Sequence, residues 1–152
     1  PVVKIREMKS GITPDSDKAS RSVDSKYIVK SGDLLFSWSG SLDVVLWSDV
    51  DGVLNQHLFK VTSENYPKWF YYDWVLQHLP EFRAIAESKA TTMGHIQRHH
   101  LDDAQVLIPS ESILSSMDKQ MSPLLSKQIL NNSETQTLSK LRDELLSKIF
   151  SN

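Results

Sequence analysis

Over residues 1–63 the apolar positions come in short runs separated by turn residues, a pattern of strands and not of long helices. Candidate strands fall at residues 2–8, 27–29, 34–38, 44–47 and 54–62, with Ser31-Gly32, Ser39-Gly40-Ser41 and Asp51-Gly52 as turns. The polar stretch 13–25 reads as a loop. From Pro67 the period changes: Trp69, Phe70, Trp74, Val75 and Leu79 recur at helical spacing, and Pro67 suits a first helical turn. Pro80 is expected to break that helix, with Phe82, Ile85 and Ala86 continuing as a second short piece. Residues 90–94 read as an exposed loop, and residues 105–108 as a returning edge strand stopped by Pro109.

After Glu111 there is no glycine, and the one proline, Pro123, follows Ser122 as an N1 proline follows its cap. This predicts a short helix over 111–121 and a long one over 123–150, roughly 40 Å at 1.5 Å per residue. Leu124, Asn131, Leu138 and Leu145 stand seven residues apart, flanked by Leu125, Ile129, Leu141 and Ile149. Such a stripe suits a coiled-coil partner, with Asn131 as a polar seam residue that can set register. The competing reading folds the helix back onto its own domain. Either way the fold class is α+β. The expected division is a β-rich domain with short helices over 1–110 and a helical region over 111–152.

At 152 residues and 39% apolar, the chain can bury one core of ordinary size. It has no cysteine, which excludes disulfides, thiolate metal sites and thiol nucleophiles, and suits a reducing cytoplasm. No apolar run approaches a membrane span. The opening at Pro1, without Met or a signal-like segment, reads as part of a longer protein.

Net charge is −2, which gives no encouragement to a polyanion partner, but the charge is uneven. Residues 1–30 hold seven basic side chains against four acidic ones; residues 33–73 hold two against six. Phosphate contacts are therefore expected from the N-terminal end, from Lys4, Arg6 and Lys26, and from Lys89 further on. Over residues 111–150 five basic and five acidic side chains balance, so the long helix is no basic DNA-binding region.

Catalytic constellations are weak. His95 and His99 are four residues apart, with His100, Asp102 and Asp103 following, a spacing that on a helix can share a metal. The residues between them are Ile96, Gln97 and Arg98; there is no glutamate of the zinc-protease type, and Arg98 would repel a cation. A metal hydrolase is the minor alternative, and no metal ligands are assigned. Trp38-Ser39-Gly40-Ser41 is only superficially like a nucleophile elbow. No phosphate-binding glycine loop and no amino-methyltransferase motif occurs. What stands out instead is polar and aromatic material in loops: Trp38, Ser39 and Ser41; Asn55, Gln56 and His57; Thr91, Thr92, Met93, His95, Gln97 and Arg98. Asn and Gln pair with adenine edges, Arg with guanine, and Thr or Met meets a thymine methyl. Asn55 and Gln56, read within a strand, have solvent exposure as their plain alternative; Trp38 has core packing.

Residues 32–41, Gly-Asp-Leu-Leu-Phe-Ser-Trp-Ser-Gly-Ser, then 54–61, Leu-Asn-Gln-His-Leu-Phe-Lys-Val, resemble recognition segments of type I restriction-modification specificity subunits. Ala90-Thr91-Thr92-Met93-Gly94-His95-Ile96, then Val106-Leu107-Ile108-Pro109, looks like the closing loop and Pro-ended strand of such a domain. Leu138-Ser139-Lys140-Leu141-Arg142-Asp143-Glu144-Leu145-Leu146 is similar to the family's spacer helix. The resemblance implies a non-catalytic target recognition domain that reads part of a split double-stranded DNA site. It implies modification subunits carrying S-adenosylmethionine that methylate adenine, and a restriction subunit for cleavage; this chain itself is expected to hold no cofactor. Only one recognition domain and one spacer helix are present, and the usual opening segment is missing. The resemblance therefore implies pairing with a second specificity half, or with a second copy, through Leu124, Asn131, Leu138, Leu141, Leu145 and Ile149. A protein-interaction module acting through the long helix without touching DNA is the alternative, supported by the net charge.

Overall fold

A computed structural model describes residues 1–20, 22–88 and 94–150. The chain is α+β: two three-stranded sheets and two long helices, with the second helix running well past the globular part.

Strands β1 (Val2–Val3), β2 (Ile28–Val29) and β5 (Gly52–Leu54) form one sheet in the order β1-β5-β2, parallel between β1 and β5 and antiparallel between β5 and β2. Strands β3 (Leu34–Ser37), β4 (Asp43–Leu46) and β6 (Leu58–Val61) form the other, antiparallel in the order β4-β3-β6. All four residues of β3 are buried, because both faces of this central strand are covered. Leu34 and Phe36 join Leu42, Val44, Leu46, Trp69, Phe70, Leu79, Phe82 and Leu125 in the larger core. Leu35 points the other way, into a smaller core with Val3, Met8, Val29, Trp47 and Leu58. Each such fully buried side chain contributes about 1.5–3 kcal/mol.

The run expected as a strand over 2–8 stops at Val3, and α1 (Ile5–Ser10) follows. Glu7 explains the change: its buried carboxylate accepts the Lys4 amide (3.2 Å) at the start of α1 and the Ser16 hydroxyl (3.1 Å). Ser25–Tyr27 is a single 3-10 turn leading into β2. The run expected over 54–62 is split in two. Asn55 Oδ1 accepts the His57 amide (3.1 Å), and its carbonyl accepts the Leu58 amide (3.0 Å), so the chain turns there and passes from one sheet to the other.

Helix α2 (Lys68–Ser88) continues through Pro80, contrary to the expected break. Interior proline costs about 3 kcal/mol, and here Leu79 and Phe82, buried on either side, hold the helix together. Residues 105–108 form no strand: Leu107 is 81% exposed, and His78 Nε2 meets the Gln105 carbonyl oxygen (2.9 Å), tying the segment alongside α2. After the short α3 (Arg98–Asp102), the two helices expected beyond residue 111 are one, α4 (Glu111–Phe150), about 60 Å long. Pro123 lies within it. Trp69 Nε1 donates to Asp118 (2.8 Å) before the proline, and Leu125 is buried after it, so packing on both sides carries the helix across.

The two readings of this helix turn out to describe opposite faces. Leu114, Asp118, Met121, Leu125, Ile129 and Gln136 are wholly or partly covered, the first five clustering against α2 and the loop at Gly32. Leu124, Asn131, Leu138, Leu141, Leu145 and Ile149 are all exposed. None of the described helices is long and apolar enough to cross a membrane.

Candidate nucleic-acid interface

Three segments meet at the end of β3. The first is the stretch just after β3, residues 38–41. Next is the sheet-crossing turn at Asn55, Gln56 and His57, and the last is the segment entering α3. Trp38 is the hub. Its indole Nε1 donates to the Gln56 carbonyl (3.1 Å), and its amide donates to the His57 carbonyl (3.3 Å). Its ring lies 5.8 Å from that of His57, 6.1 Å from Phe59 and 6.4 Å, edge-on, from His95. Ser39 is buried, and its hydroxyl meets His57 Nδ1 (2.9 Å), so it orients an imidazole while standing back from solvent.

The third segment is added as a short bridge. Ser39 pairs with His95, the Ile96 amide donates to the Trp38 carbonyl (3.1 Å), and the Gly40 amide to the Gly94 carbonyl (2.8 Å). Ile96 is 3% exposed and pins the segment inward; by strand alternation its neighbours His95 and Gln97 face out. Gly94 passes so close to α2 that a Cβ there would stand 2.6 Å from the Ala86 carbonyl oxygen, which only glycine avoids. Gln97 precedes α3, its amide donating to His100 Nδ1 (2.9 Å), and Arg98 opens the helix exposed. His95 therefore lies outside the helix that holds His99. Among the described residues, no three His, Asp or Glu side chains are grouped to hold a metal.

Behind this rim lies an open apolar cleft of about 970 Å³, lined by Phe36, Trp38, Phe59, Trp74, Phe82 and Arg98 among others. Phe59, 44% exposed, extends the aromatic surface and was not singled out by sequence reasoning. Lys9 was also missed: it reaches from the end of α1 to the Ser41 hydroxyl, putting a cation beside the exposed Ser41. Its partner is 32 residues away, so no local pattern signalled it.

Three of the expected phosphate contacts, Lys4, Arg6 and Lys26, are not joined to this cluster by any described hydrogen bond or ion pair, and each of the three already has an acidic neighbour. Lys4 pairs with Asp17, Arg6 with Glu7 (2.7 Å), and Lys26 with Asp24 (3.3 Å) while standing 4.9 Å over the Tyr27 ring. The Arg6 guanidinium is held protonated more firmly than usual, first by its hydrogen bond to Glu7 and then by that carboxylate's charge. Lys89, Thr91, Thr92 and Met93 lie outside the described residues.

Exposed Gln56, His95, Gln97 and Arg98, with half-buried His57, form a set of donors and acceptors around a tryptophan. Such a set can read base edges. Comparison with known protein families matches residues 5–143 to the type I restriction modification DNA specificity domain. No curated protein and no solved structure matches the chain.

Proposed function

The chain belongs to the family of type I restriction modification DNA specificity domains, and from that premise we propose that it reads its target through the Trp38 cluster. DNA sequence recognition without catalysis is the role of the family. Here Gln56, His57, His95, Gln97 and Arg98 meet base edges, Thr91, Thr92 and Met93 also read bases, and Asn55, Ser39 and Trp38 hold the readers in place. Lys4, Arg6, Lys26 and Lys89, with Lys9 and Ser41, contact phosphates. Adenine methylation and cleavage belong to partner modification and restriction subunits, with S-adenosylmethionine on the former. The exposed face of α4 pairs with the helix of a second specificity half or a second copy.

The observation that supports this reading best is the convergence of three sequence-distant polar segments on one indole. In complex with modification subunits, Arg98→Ala is expected to relax discrimination among target sequences by about 1–3 kcal/mol. Lys26→Ala is expected to weaken binding to all sequences alike and to flatten the salt dependence by about one unit of slope. An equal loss on every sequence with Arg98→Ala would contradict the assignment. The second reading, a helix-docking module that never meets DNA, has the exposed α4 face in its favour. It would show methylation patterns indifferent to both substitutions.

A further inference from the structure

Helix α4 is held at two places far apart. Near its start it is held by Asp118 on Trp69, by buried Leu125, and by Ile129, whose Cγ2 lies 3.6 Å from where a Cβ on Gly32 would stand. Fifteen residues beyond Leu125, the Lys140 ammonium donates to the Asp49 carboxylate. The Asp49 side chain is 3% exposed, in the loop after β4, and also accepts the amides of Ile12 (2.8 Å) and Val50 (2.7 Å). It is therefore a buried carboxylate with backbone donors already in place, waiting for one cation from the helix.

Gly11 shapes the same contact. Its φ is +79°, and a Cβ there would stand 2.9 Å from Asp49 Oδ2 and 3.4 Å from Gln136 Oε1. Beyond this point residues 141–150 are all exposed.

We infer that Asp49 and Lys140 form a latch that fixes the angle of α4 against the recognition face, and so act as positioning residues for the gap between two half-sites. The inference rests on the DNA-recognition reading proposed above. Lever lengths make it quantitative. From Leu125 the latch is about 22 Å away and the tip at Phe150 about 37 Å. Play of about 2 Å at the latch becomes roughly 3.4 Å at the tip, which is the rise of one base pair. An ion pair exposed on both sides would be too weak to hold such a lever; here Lys140 is half-exposed but the Asp49 carboxylate is buried, so removing the cation leaves a buried charge without its counter-ion.

The test uses the chain assembled with modification subunits, measuring adenine methylation on duplexes whose half-sites are separated by gaps differing by one base pair. Asp49→Asn and Lys140→Met are each expected to lower discrimination between the preferred gap and its neighbours about tenfold, leaving base preference within a half-site unchanged. Lys140→Arg, which keeps a cation, retains the wild-type ratio. Uniform loss of methylation across all gaps, or an unchanged ratio beside a clear wild-type preference, overturns the latch alone. A wild-type complex indifferent to the gap also overturns the latch, and one indifferent to the sequence within each half-site removes the DNA-recognition reading on which it rests.

Discussion

Glu7 is 1% exposed and still carries its charge, because Arg6 (2.7 and 2.9 Å), the Ser16 hydroxyl (3.1 Å) and the Lys4 amide (3.2 Å) all donate to it. Burial pushes its carboxyl upward, but the donors together outweigh burial and hold it below the ordinary value. Asp49 behaves the same way: burial raises it, and Lys140 with two amides brings it down. Asp17 beside Lys4, and Asp118 beside Ser122 and Trp69, are lowered as well. A carboxylate with its folded value below the unfolded one adds stability that is complete above about pH 4–5 and lost as pH falls through the folded value. Asp73, raised by partial burial, acts in the opposite sense, one group against four. The thermal midpoint is thus expected to fall between about pH 5 and pH 2, and to fall less steeply in Asp49→Asn. Midpoints that run parallel in the two proteins would show that Asp49 carries none of this dependence.

At the scale of elements, α4 has one covered face and one exposed face. Leu125, 8% exposed, packs into the larger core, and its truncation to alanine should cost about 2–5 kcal/mol. Leu138 and Leu145, 57% and 49% exposed, face away from the domain. Replacing both by lysine is expected to leave the chain's own stability within about 0.5 kcal/mol per site while abolishing helix-mediated association in sedimentation. A loss of several kcal/mol in that variant would mean the two leucines pack on their own domain after all. Both prolines inside helices teach the same lesson about elements. Pro80 and Pro123 looked like boundaries because propensity is local, whereas Leu79 with Phe82, and Asp118 with Leu125, hold those helices by contacts made elsewhere.

The molecule as a whole is joined through β3, whose alternate residues serve different cores: Leu34 and Phe36 one, Leu35 the other. Two cores sharing a strand should unfold together. Leu35→Ala and Phe36→Ala are each expected to lower one common transition, by about 2–5 and 3–5 kcal/mol, with near-ultraviolet and far-ultraviolet signals coinciding. Two resolved transitions in calorimetry would show instead that the sheets are separate units. The same strand places the Trp38 cluster, since Trp38 and Ser39 follow directly from it and Ser39 bridges to His95.

Periodicity in the sequence by itself determined the α+β class, the approximate place of most strands, the helical character of residues 69–86 and 111–150, and the outward stripe of α4. Each of these depends on residues within a few positions of one another. The motif order around Gly32, Asn55 and His95 also pointed to the family before any contact was known. Only the tertiary structure decided that the 54–62 run divides between two sheets at Asn55, that residues 105–108 pair with no strand, and that both prolines are spanned. It alone brought Trp38, His57 and His95 together, turned Ser39 inward, and joined Asp49 to Lys140 across 91 residues. Such pairings leave no local trace, because the free energy that selects them comes from burial and hydrogen bonding between segments the chain sequence keeps far apart.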